Sequence, residues 1–226
     1  ILWHIMKIYS SHGINDFIIC CGFKSYIIKE YFSNYFLHMS DVTFDMQNNN
    51  MKVHDKRTDP WKVSLVDTGD NTMTGGRLLR VKEYIKNEKS FCFTYGDGVG
   101  DINIENLIKF HNSHKKEATL TSTIPPGRFG SLQIKNGIIE NFEEKPKGEG
   151  SKINGGFFVL NSSVFDLIED DQTIWEKDPL KSLASKKELM AFEHNGFWQP
   201  MDTLRDKMYL EELWLSKNAP WKIWDD

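Results

Sequence analysis

The 226-residue sequence lacks two features that mark large functional classes: an excess of basic residues and a long apolar run. Its 28 Lys and Arg residues are outnumbered by 32 Asp and Glu residues, which gives a formal net charge of -4. The positive field that attracts nucleic-acid phosphates is therefore missing. The apolar run from Phe17 to Phe23 is much shorter than the ~20 residues that span a bilayer. We expect neither nucleic acid nor a membrane among the partners.

Cysteine is also scarce, and the few cysteines present form no redox or zinc motif. Cys20, Cys21 and Cys92 contain no CxxC unit, and neighbouring residues of a strand point to opposite faces. His111 and His114 have an HxxH spacing, but no further ligands stand near them, so a solvated helix end is the better interpretation. These patterns predict reduced thiols in a cytoplasmic protein.

The first half of the sequence contains an alternation of helix and strand patterns. Leu2 to Tyr9 and Ser25 to Tyr35 have helical periodicity, and the stretch from Asp16 to Gly22 between them is a continuous apolar strand pattern. The alternation continues through a helix at 104–114 and strand candidates at 64–67, 91–95 and 118–124. It predicts an α/β fold with a Rossmann-like mixed, mainly parallel sheet.

Two hairpins and a tail interrupt this alternation within what we interpret as one domain over residues 1–226. The polar turn at 48–50 predicts a hairpin insertion over residues 40–62. A second hairpin at 131–143, around Asn136-Gly137, begins an antiparallel part. Residues 203–226 form a C-terminal helix and a tryptophan-rich tail. Its tryptophans predict a homo-oligomer, with packing on their own chain as the alternative: Trp214, Trp221 and Trp224.

Two aspartates follow strand patterns. Asp97 stands between Gly96 and Gly98 at the end of an apolar strand, and ligands of open α/β sheets bind beyond such strand ends. A carboxylate there suits Mg²⁺, although an Asp-Gly turn explains the dipeptide equally well. Asp202 follows an aromatic strand pattern, and there it could simply be the N-cap of the helix that begins near Leu204.

Three further polar segments suggest substrate contacts. The glycine-rich loop at 68–78 would turn its amides towards an anion or a base, but it matches neither the Rossmann dinucleotide motif nor the P-loop. Lys145, in the charged run 143–147, is a point-charge phosphate binder, with a solvated surface run as the alternative. Asn154-Gly155-Gly156 opens the next apolar strand.

In their order along the chain, these segments resemble the sugar-1-phosphate nucleotidylyltransferase family. No single segment is specific, but the ordered set is: YGDG at 95–98, GRFG at 127–130, EEKP at 143–146, NGG at 154–156 and WQPMDT at 198–203. The finer detail of the segments at 68–78, 125–130 and 197–206 is most similar to the members that use CTP and glucose 1-phosphate. The resemblance covers residues 1–224.

The resemblance implies a role for each segment. Asp97 and Asp202 would hold the catalytic Mg²⁺, and Lys145 would contact the sugar phosphate during catalysis. The nucleotide would be bound by Thr72, Gly76, Arg77 and Gly96. The sugar phosphate would be bound by Gly130, Glu144, Lys145, Asn154 and Gly155.

The implied reaction transfers a cytidylyl group from CTP to glucose 1-phosphate, giving CDP-glucose and pyrophosphate for nucleotide-sugar and polysaccharide (O-antigen) biosynthesis. The family begins with a strand and a Gly-Gly-x-Gly-x-Arg loop that these 226 residues do not contain. We therefore expect an N-terminally truncated chain that is inactive alone.

Three alternatives stay open beside this reaction. They are another sugar-1-phosphate uridylyl- or thymidylyltransferase, a noncatalytic sugar-nucleotide-binding homologue, and a glycosyltransferase with a DxD metal motif. The four-residue spacing of Asp97 and Asp101 and the EEKP segment both count against the glycosyltransferase.

Overall fold

A computed structural model describes residues 1–54, 59–126, 131–135, 138–143 and 152–225, and the chain divides into two units. Unit 1 consists of Ile1–Ile14, Asn87–Leu167 and Leu180–Asp226, and unit 2 consists of Asn15–Lys86 and Ile168–Pro179. Across the ranges that the structure describes, no helix has both the length and the apolar character needed to cross a membrane.

Helices and strands alternate along the first part of the chain, as the sequence predicts. The helices are α1 (Leu2–Ser10), α2 (Ser25–Ser33), α3 (Tyr35–Met39), α4 (Thr74–Arg80), α5 (Lys82–Ile85), α6 (Ile104–His114), α7 (Asp178–Ser185) and α8 (Leu204–Leu215), with a 3-10 helix at Ser162–Leu167. The strands are β1 (Asp16–Cys21), β2 (Val42–Asp45), β3 (Asn50–Val53), β4 (Lys62–Asp67), β5 (Ser90–Thr94), β6 (Gly98–Gly100), β7 (Ala118–Thr123), β8 (Ser131–Lys135), β9 (Ile138–Glu143), β10 (Ile153–Asn161), β11 (Leu189–Glu193) and β12 (Trp198–Pro200).

Unit 1 is built on a four-stranded sheet of order β11-β7-β10-β5. β7 and β11 are parallel, whereas β10 runs antiparallel to both β7 and β5. The two short strands β6 and β12 form a separate antiparallel pair, and β8 pairs with β9 in the predicted hairpin. The core strand β10 is buried along most of its length, from Gly155 to Leu160, which agrees with its continuous apolar sequence.

Unit 2 contains a parallel pair and a hairpin. β1 and β4 run parallel, from Asp16 opposite Lys62 to Cys21 opposite Asp67. β2 and β3 pair in an antiparallel hairpin that lies inside the range predicted as an insertion. The α/β fold with mixed sheets is thus confirmed. Fewer of the strand pairs are parallel than the sequence predicted, because β10 lies between β5 and β7 and runs antiparallel to both.

The C-terminal tryptophans pack on helix α1 of their own chain. Trp221 is 1% exposed, and its indole Nε1 donates to Nδ1 of His4 at 3.3 Å. Trp3, Trp214 and Trp224 surround the same histidine ring with largely edge-on contacts. These contacts correspond to the intramolecular alternative, so the tryptophans no longer support a homo-oligomer, which stays a prediction.

His4 makes this aromatic cluster sensitive to acid. Burial lowers the pKa of His4 to about 4, whereas an unfolded histidine titrates near 6.5. Because the folded value lies below the unfolded one, the unfolded state binds more protons between the two values. The stabilisation that neutral His4 provides is complete above pH ~6.5 and is lost as the pH falls towards 4.

We predict that the free energy of unfolding of the His4→Phe variant falls less steeply than that of the wild type as the pH is lowered. The variant keeps an aromatic ring but removes the acceptor of the Trp221 indole, so at pH 7 it should be less stable by about 1 kcal/mol. Urea unfolding from pH 7.5 to 4 measures both effects. Above pH 7 the two proteins should have the same slope, which serves as the internal control. Equal slopes below pH 6.5 would contradict the assignment of this acid sensitivity to His4.

Candidate active site

The pairing of β6 with β12 brings two carboxylates to the same end of unit 1. Gly98 lies opposite Pro200 and Gly100 lies opposite Trp198, and the amide of Met201 donates to the carbonyl of Asp97 at 2.7 Å. Asp97 precedes the first strand and Asp202 follows the second after one residue. The two aspartates are therefore neighbours in space although 105 positions separate them in the sequence.

The electrostatics of Asp97 reflect this proximity. Its pKa is raised above its ordinary value, first by partial desolvation of the carboxylate and then by the negative charge of Asp202. Two like charges held near each other by backbone pairing destabilise one another unless a cation or a proton intervenes. The arrangement thus favours a site that takes up positive charge.

Asp202 does not cap helix α8, which was the simpler interpretation from the sequence. The N-cap is Thr203, whose hydroxyl accepts from the amide of Asp206 at 3.2 Å. In return, a carboxylate oxygen of Asp206 accepts from the amide of Thr203 at 3.0 Å. This reciprocal capping box satisfies the first turn of the helix without Asp202. Asp202 thereby stays exposed at the rim beside Asp97.

Gly96 leaves an open space next to Asp97. An added Cβ at this position would meet no heavy atom within 4 Å, and Gly96 is exposed. The missing side chain therefore serves neither packing nor a strained turn. It opens the surface where a ligand can approach the backbone beside the carboxylates.

The Asn154-Gly155-Gly156 segment forms a bulge in β10 next to these residues. Asn154 lies opposite Ser122 of β7 but Phe158 lies opposite Leu120, so the register shifts between them. The Asn154 side chain accepts from the Gly156 amide at 2.8 Å and donates to the Tyr95 hydroxyl at 3.1 Å. Asn154 is thus held in one orientation, directly beside the strand that leads to Asp97.

The aromatic residues Tyr95 and Trp198 complete this part of unit 1, and sequence reasoning gave neither of them a role. The Tyr95 ring lies where a Cβ on Gly156 would be, at 2.7 Å, and the Trp198 indole donates to the Gly155 carbonyl at 2.8 Å. The signal that could have identified them is their position, since each flanks one of the two aspartate segments.

The glycine-rich loop of unit 2 is braced by Arg77. The Arg77 guanidinium donates to the Thr68 hydroxyl at 2.7 Å and to the Asp70 carbonyl at 3.3 Å. It also lies over Gly22, where an added Cβ would come within 2.5 Å of a guanidinium nitrogen. These contacts fix the course of the loop, and Thr72 is 7% exposed within it. They favour a positioning role for Arg77 over direct reading of a base.

Gly76 is required by close packing. A Cβ there would lie 2.4 Å from the Asp171 carbonyl oxygen and 2.5 Å from its Cα. Neighbouring Gly75 approaches Thr173 in the same way, and its amide donates to the Thr173 carbonyl at 2.9 Å. Helix α4 can therefore begin at Thr74, inside the segment interpreted from the sequence as a loop at 68–78, because its first turn packs directly on the backbone at 171–173.

Gly130, Glu144 and Lys145 lie outside the described residues. Their predicted contacts to the sugar phosphate therefore stay predictions, as do the GRFG and EEKP segments to which they belong. Of the predicted sites, the structure gathers Gly96, Asp97, Asn154, Gly155 and Asp202 in unit 1, and it places Thr72, Gly76 and Arg77 in unit 2.

His111 and His114 belong to a hydrogen-bonded chain inside unit 1. The Lys116 amide donates to His114 Nδ1 at 2.9 Å, so the proton of His114 is on Nε2, which contacts the Thr119 hydroxyl at 2.7 Å. Thr119 in turn lies 2.9 Å from His111 Nδ1, and His111 Nε2 lies 3.1 Å from Asn161 Oδ1. One proton on each ring satisfies every contact. The interpretation as a solvated helix end was wrong for His111, which is 3% exposed and hydrogen-bonded inside unit 1.

The carboxylate pair fits a divalent cation. Carboxylate oxygens are hard ligands. The pKa of Asp97 is raised first by partial desolvation and then by the charge of Asp202, and a cation between the two carboxylates would offset both effects. In the ranges described here, no group of three or more His, Cys, Asp and Glu side chains could hold a metal. Two carboxylates supply part of an octahedral shell, which substrate phosphates and water can complete.

Comparison with known proteins gives the class. The family model described as "Nucleotidyl transferase" matches residues 1–206, and the chain therefore belongs to the nucleotidyl transferase family. Enzymes of this family work with a divalent cation, in agreement with the carboxylate pair.

Two relatives indicate which kind of nucleotidyl transferase this chain is most similar to. The chain is 67% identical to glucose-1-phosphate cytidylyltransferase of Salmonella typhimurium strain LT2 over 225 residues, which cover 100% of this chain and 88% of the relative. Glucose-1-phosphate cytidylyltransferase of Salmonella typhi matches with the same identity and coverage.

Solved structures share the fold at much lower identity. HddC from Yersinia pseudotuberculosis superimposes with a TM-score of 0.65 and 19% identity, covering 94% of this chain and 84% of that one. A UDP-glucose pyrophosphorylase complexed with UDP-glucose gives a TM-score of 0.64 at 13% identity, covering 95% and 86%.

The two glycines Gly76 and Gly96 generate a stability prediction. Gly76→Ala should destabilise the protein by about 1–3 kcal/mol, because overlap with the Asp171 backbone outweighs the ~1 kcal/mol that alanine gains in a helix. Gly96→Ala, the matched control, should change the unfolding free energy by no more than about 1 kcal/mol. Urea titrations of both variants make the comparison. If Gly76→Ala were as stable as the wild type, the close packing at Asp171 would be wrong.

Proposed function

We propose that this protein transfers the cytidylyl group of CTP to glucose 1-phosphate, giving CDP-glucose and pyrophosphate. The observation that carries the proposal is the pair Asp97 and Asp202, held together by β6 and β12 beside the open Gly96. The choice of substrates is supported by 67% identity over the whole chain to two enzymes named glucose-1-phosphate cytidylyltransferase.

The reaction needs no nucleophilic side chain. A phosphate oxygen of glucose 1-phosphate attacks the α-phosphorus of CTP and forms a new P–O bond. The bond between the α-phosphorus and its bridging oxygen breaks, and its electron pair leaves with pyrophosphate. A phosphate monoester is already anionic at neutral pH, so the protein mainly aligns two polyanions and offsets their repulsion.

Asp97 and Asp202 would hold the divalent cation, which we take to be Mg²⁺. When bound, Mg²⁺ supplies charge neutralisation and orientation at the phosphates. The carboxylates fix its position because backbone pairing between β6 and β12 fixes them. Gly96 would admit the nucleotide to the edge of this site, where its exposed backbone presents no side chain.

The remaining contacts divide between the two substrates. Asn154 and Gly155 would bind the sugar phosphate, together with Lys145 as the cation that meets its phosphate. Gly130 and Glu144 belong to the same proposal. For the nucleotide, Thr72 would contact CTP, while Gly76 and Arg77 would set the course of the loop that carries Thr72.

Cytoplasmic location and self-association complete the proposal. Cys20, Cys21 and Cys92 are all free thiols, the state that a reducing compartment maintains. Burial raises the pKa of Cys20 to about 11 and that of Cys92 to about 12, so both thiols are poor nucleophiles. The homo-oligomer stays a prediction, although Trp214 and Trp221, which suggested it, pack on α1 of their own chain.

The substrate assignment is tested by comparing turnover with different nucleoside triphosphates. In the full-length protein, CTP with glucose 1-phosphate should release pyrophosphate, and UTP or dTTP should do so at least about a hundredfold less efficiently. The reason is that a pocket built for the cytosine amino group leaves polar groups unpaired when it meets a carbonyl. Equal turnover with UTP would favour the uridylyltransferase alternative, and absence of pyrophosphate with every nucleotide would favour the noncatalytic one.

Removal of either carboxylate should abolish turnover without unfolding the protein. Asp97→Asn and Asp202→Asn keep the side-chain volume but remove a metal-binding charge, and we expect turnover to fall by about a hundredfold or more. Asp166→Asn, at an exposed aspartate of the 3-10 helix, is the control and should retain activity. In Asp202→Asn the pKa of Asp97 should also fall, which carbon NMR can follow. Near wild-type, Mg²⁺-dependent turnover of either variant would remove that residue from the metal site.

A further inference from the structure

We propose that Trp198 is a positioning residue for the sugar phosphate: its indole N–H holds the bulge of β10 in the shape that presents Asn154 and Gly155 to the substrate. The proposal rests on the proposed function, because it takes Asn154 and Gly155 as the sugar-phosphate contacts. It adds a residue to which neither the sequence pattern nor the resemblance to relatives gave a role.

The contact itself joins two separate strands. Nε1 of Trp198, on β12, donates to the carbonyl of Gly155, on β10, at 2.8 Å. Gly155 is buried and Trp198 is half-buried. A buried carbonyl that lost a donor would carry a desolvation penalty, so the indole N–H stabilises the bulge at Gly155.

The bulge needs such support because it departs from regular strand geometry. Gly156 has φ of +76°, in the left-handed region that favours glycine. Its carbonyl accepts from the Tyr95 amide and from the Thr94 hydroxyl, both at 3.0 Å. The side of the bulge facing β5 is thus tied by backbone and hydroxyl donors, whereas the Gly155 carbonyl is tied by the side chain of Trp198.

Trp198 also belongs to the strand that carries the second aspartate. It lies opposite Gly100 at the start of β12, four positions before Asp202. The indole lies beside Gly98, where an added Cβ would be in ordinary van der Waals contact with Nε1, at 3.6 Å. One short strand therefore sets both the position of Asp202 and the shape of the bulge that bears Asn154.

Loss of the indole N–H should affect the two substrates unequally. Trp198→Phe keeps an aromatic ring against Gly98 but removes the donor to Gly155, so the bulge relaxes and Asn154 moves away from the sugar phosphate. The strand pairing that fixes Asp97 and Asp202 uses backbone groups and remains. We expect the KM for glucose 1-phosphate to rise about tenfold, the equivalent of one hydrogen bond, with the KM for CTP changed less than about twofold.

The experiment uses the full-length protein with three variants. Trp214→Phe is the matched control, because Trp214 is also half-buried but packs on α1 and should leave both KM values unchanged. Tyr95→Phe removes the hydroxyl that accepts from Asn154 and should raise the KM for glucose 1-phosphate in the same way, even if Trp198→Phe folds poorly. Calorimetric titration with glucose 1-phosphate, in the presence of a non-hydrolysable CTP analogue, measures sugar-phosphate binding independently of turnover.

The outcomes separate this inference from the proposed function. Weaker binding of glucose 1-phosphate by Trp198→Phe and Tyr95→Phe, with an unchanged affinity for the CTP analogue, supports the inference whether or not the wild type turns over. A wild-type affinity in Trp198→Phe, or equal losses for both substrates with a lowered Tm, would overturn it. If the wild type binds glucose 1-phosphate but releases no pyrophosphate, the proposed reaction alone fails. If it binds no glucose 1-phosphate, both proposals fall.

Discussion

Backbone pairing between two very short strands keeps the carboxylates of Asp97 and Asp202 close together despite the repulsion between their negative charges. β6 and β12 contribute the pairs Gly98 with Pro200, Val99 with Gln199 and Gly100 with Trp198. At their end lie two carboxylates, and the pKa of Asp97 is raised by partial desolvation and, to a smaller extent, by the negative charge of Asp202. The strands are short and their pairing is local, so other contacts must keep them in place. The capping box at Thr203 and the indole of Trp198 supply two of these contacts.

The sequence predicts the elements of this fold better than their roles. Helix α6 and the strands β8 and β9 have the bounds expected from periodicity and from the Asn-Gly turn, because local patterns determine them. Helix α4 begins inside the segment interpreted as a loop at 68–78, and the reason is a tertiary contact. Two glycines in the first turn of a helix are unfavourable by propensity, and the close approach of the backbone at 171–173 explains them here.

Gly76 and Gly96 both lie in polar segments with neighbouring glycines, but they have different structural roles. The resemblance implied nucleotide binding for both Gly76 and Gly96, and glycine in general permits the close approach of a neighbouring group. At Gly76 the approaching group is the backbone of Asp171, and at Gly96 the space is open. Spacing and residue type cannot distinguish a ligand from another part of the chain. The same limitation hid Tyr95 and Trp198, whose aromatic side chains are typical of an ordinary core until their hydrogen bonds are known.

The bulge in β10 also constrains how this segment can change in length. Four steps along β10, from Asn154 to Phe158, correspond to two steps along β7, from Ser122 to Leu120. The excess is an even number, so the inward and outward alternation keeps its phase on both sides of the bulge. A one-residue deletion or insertion between these positions would break the pairing of Asn154 with Ser122 or that of Phe158 with Leu120. Evolution of this segment should therefore proceed by substitution or by indels of two residues, and single-residue gaps should be confined to the neighbouring loops.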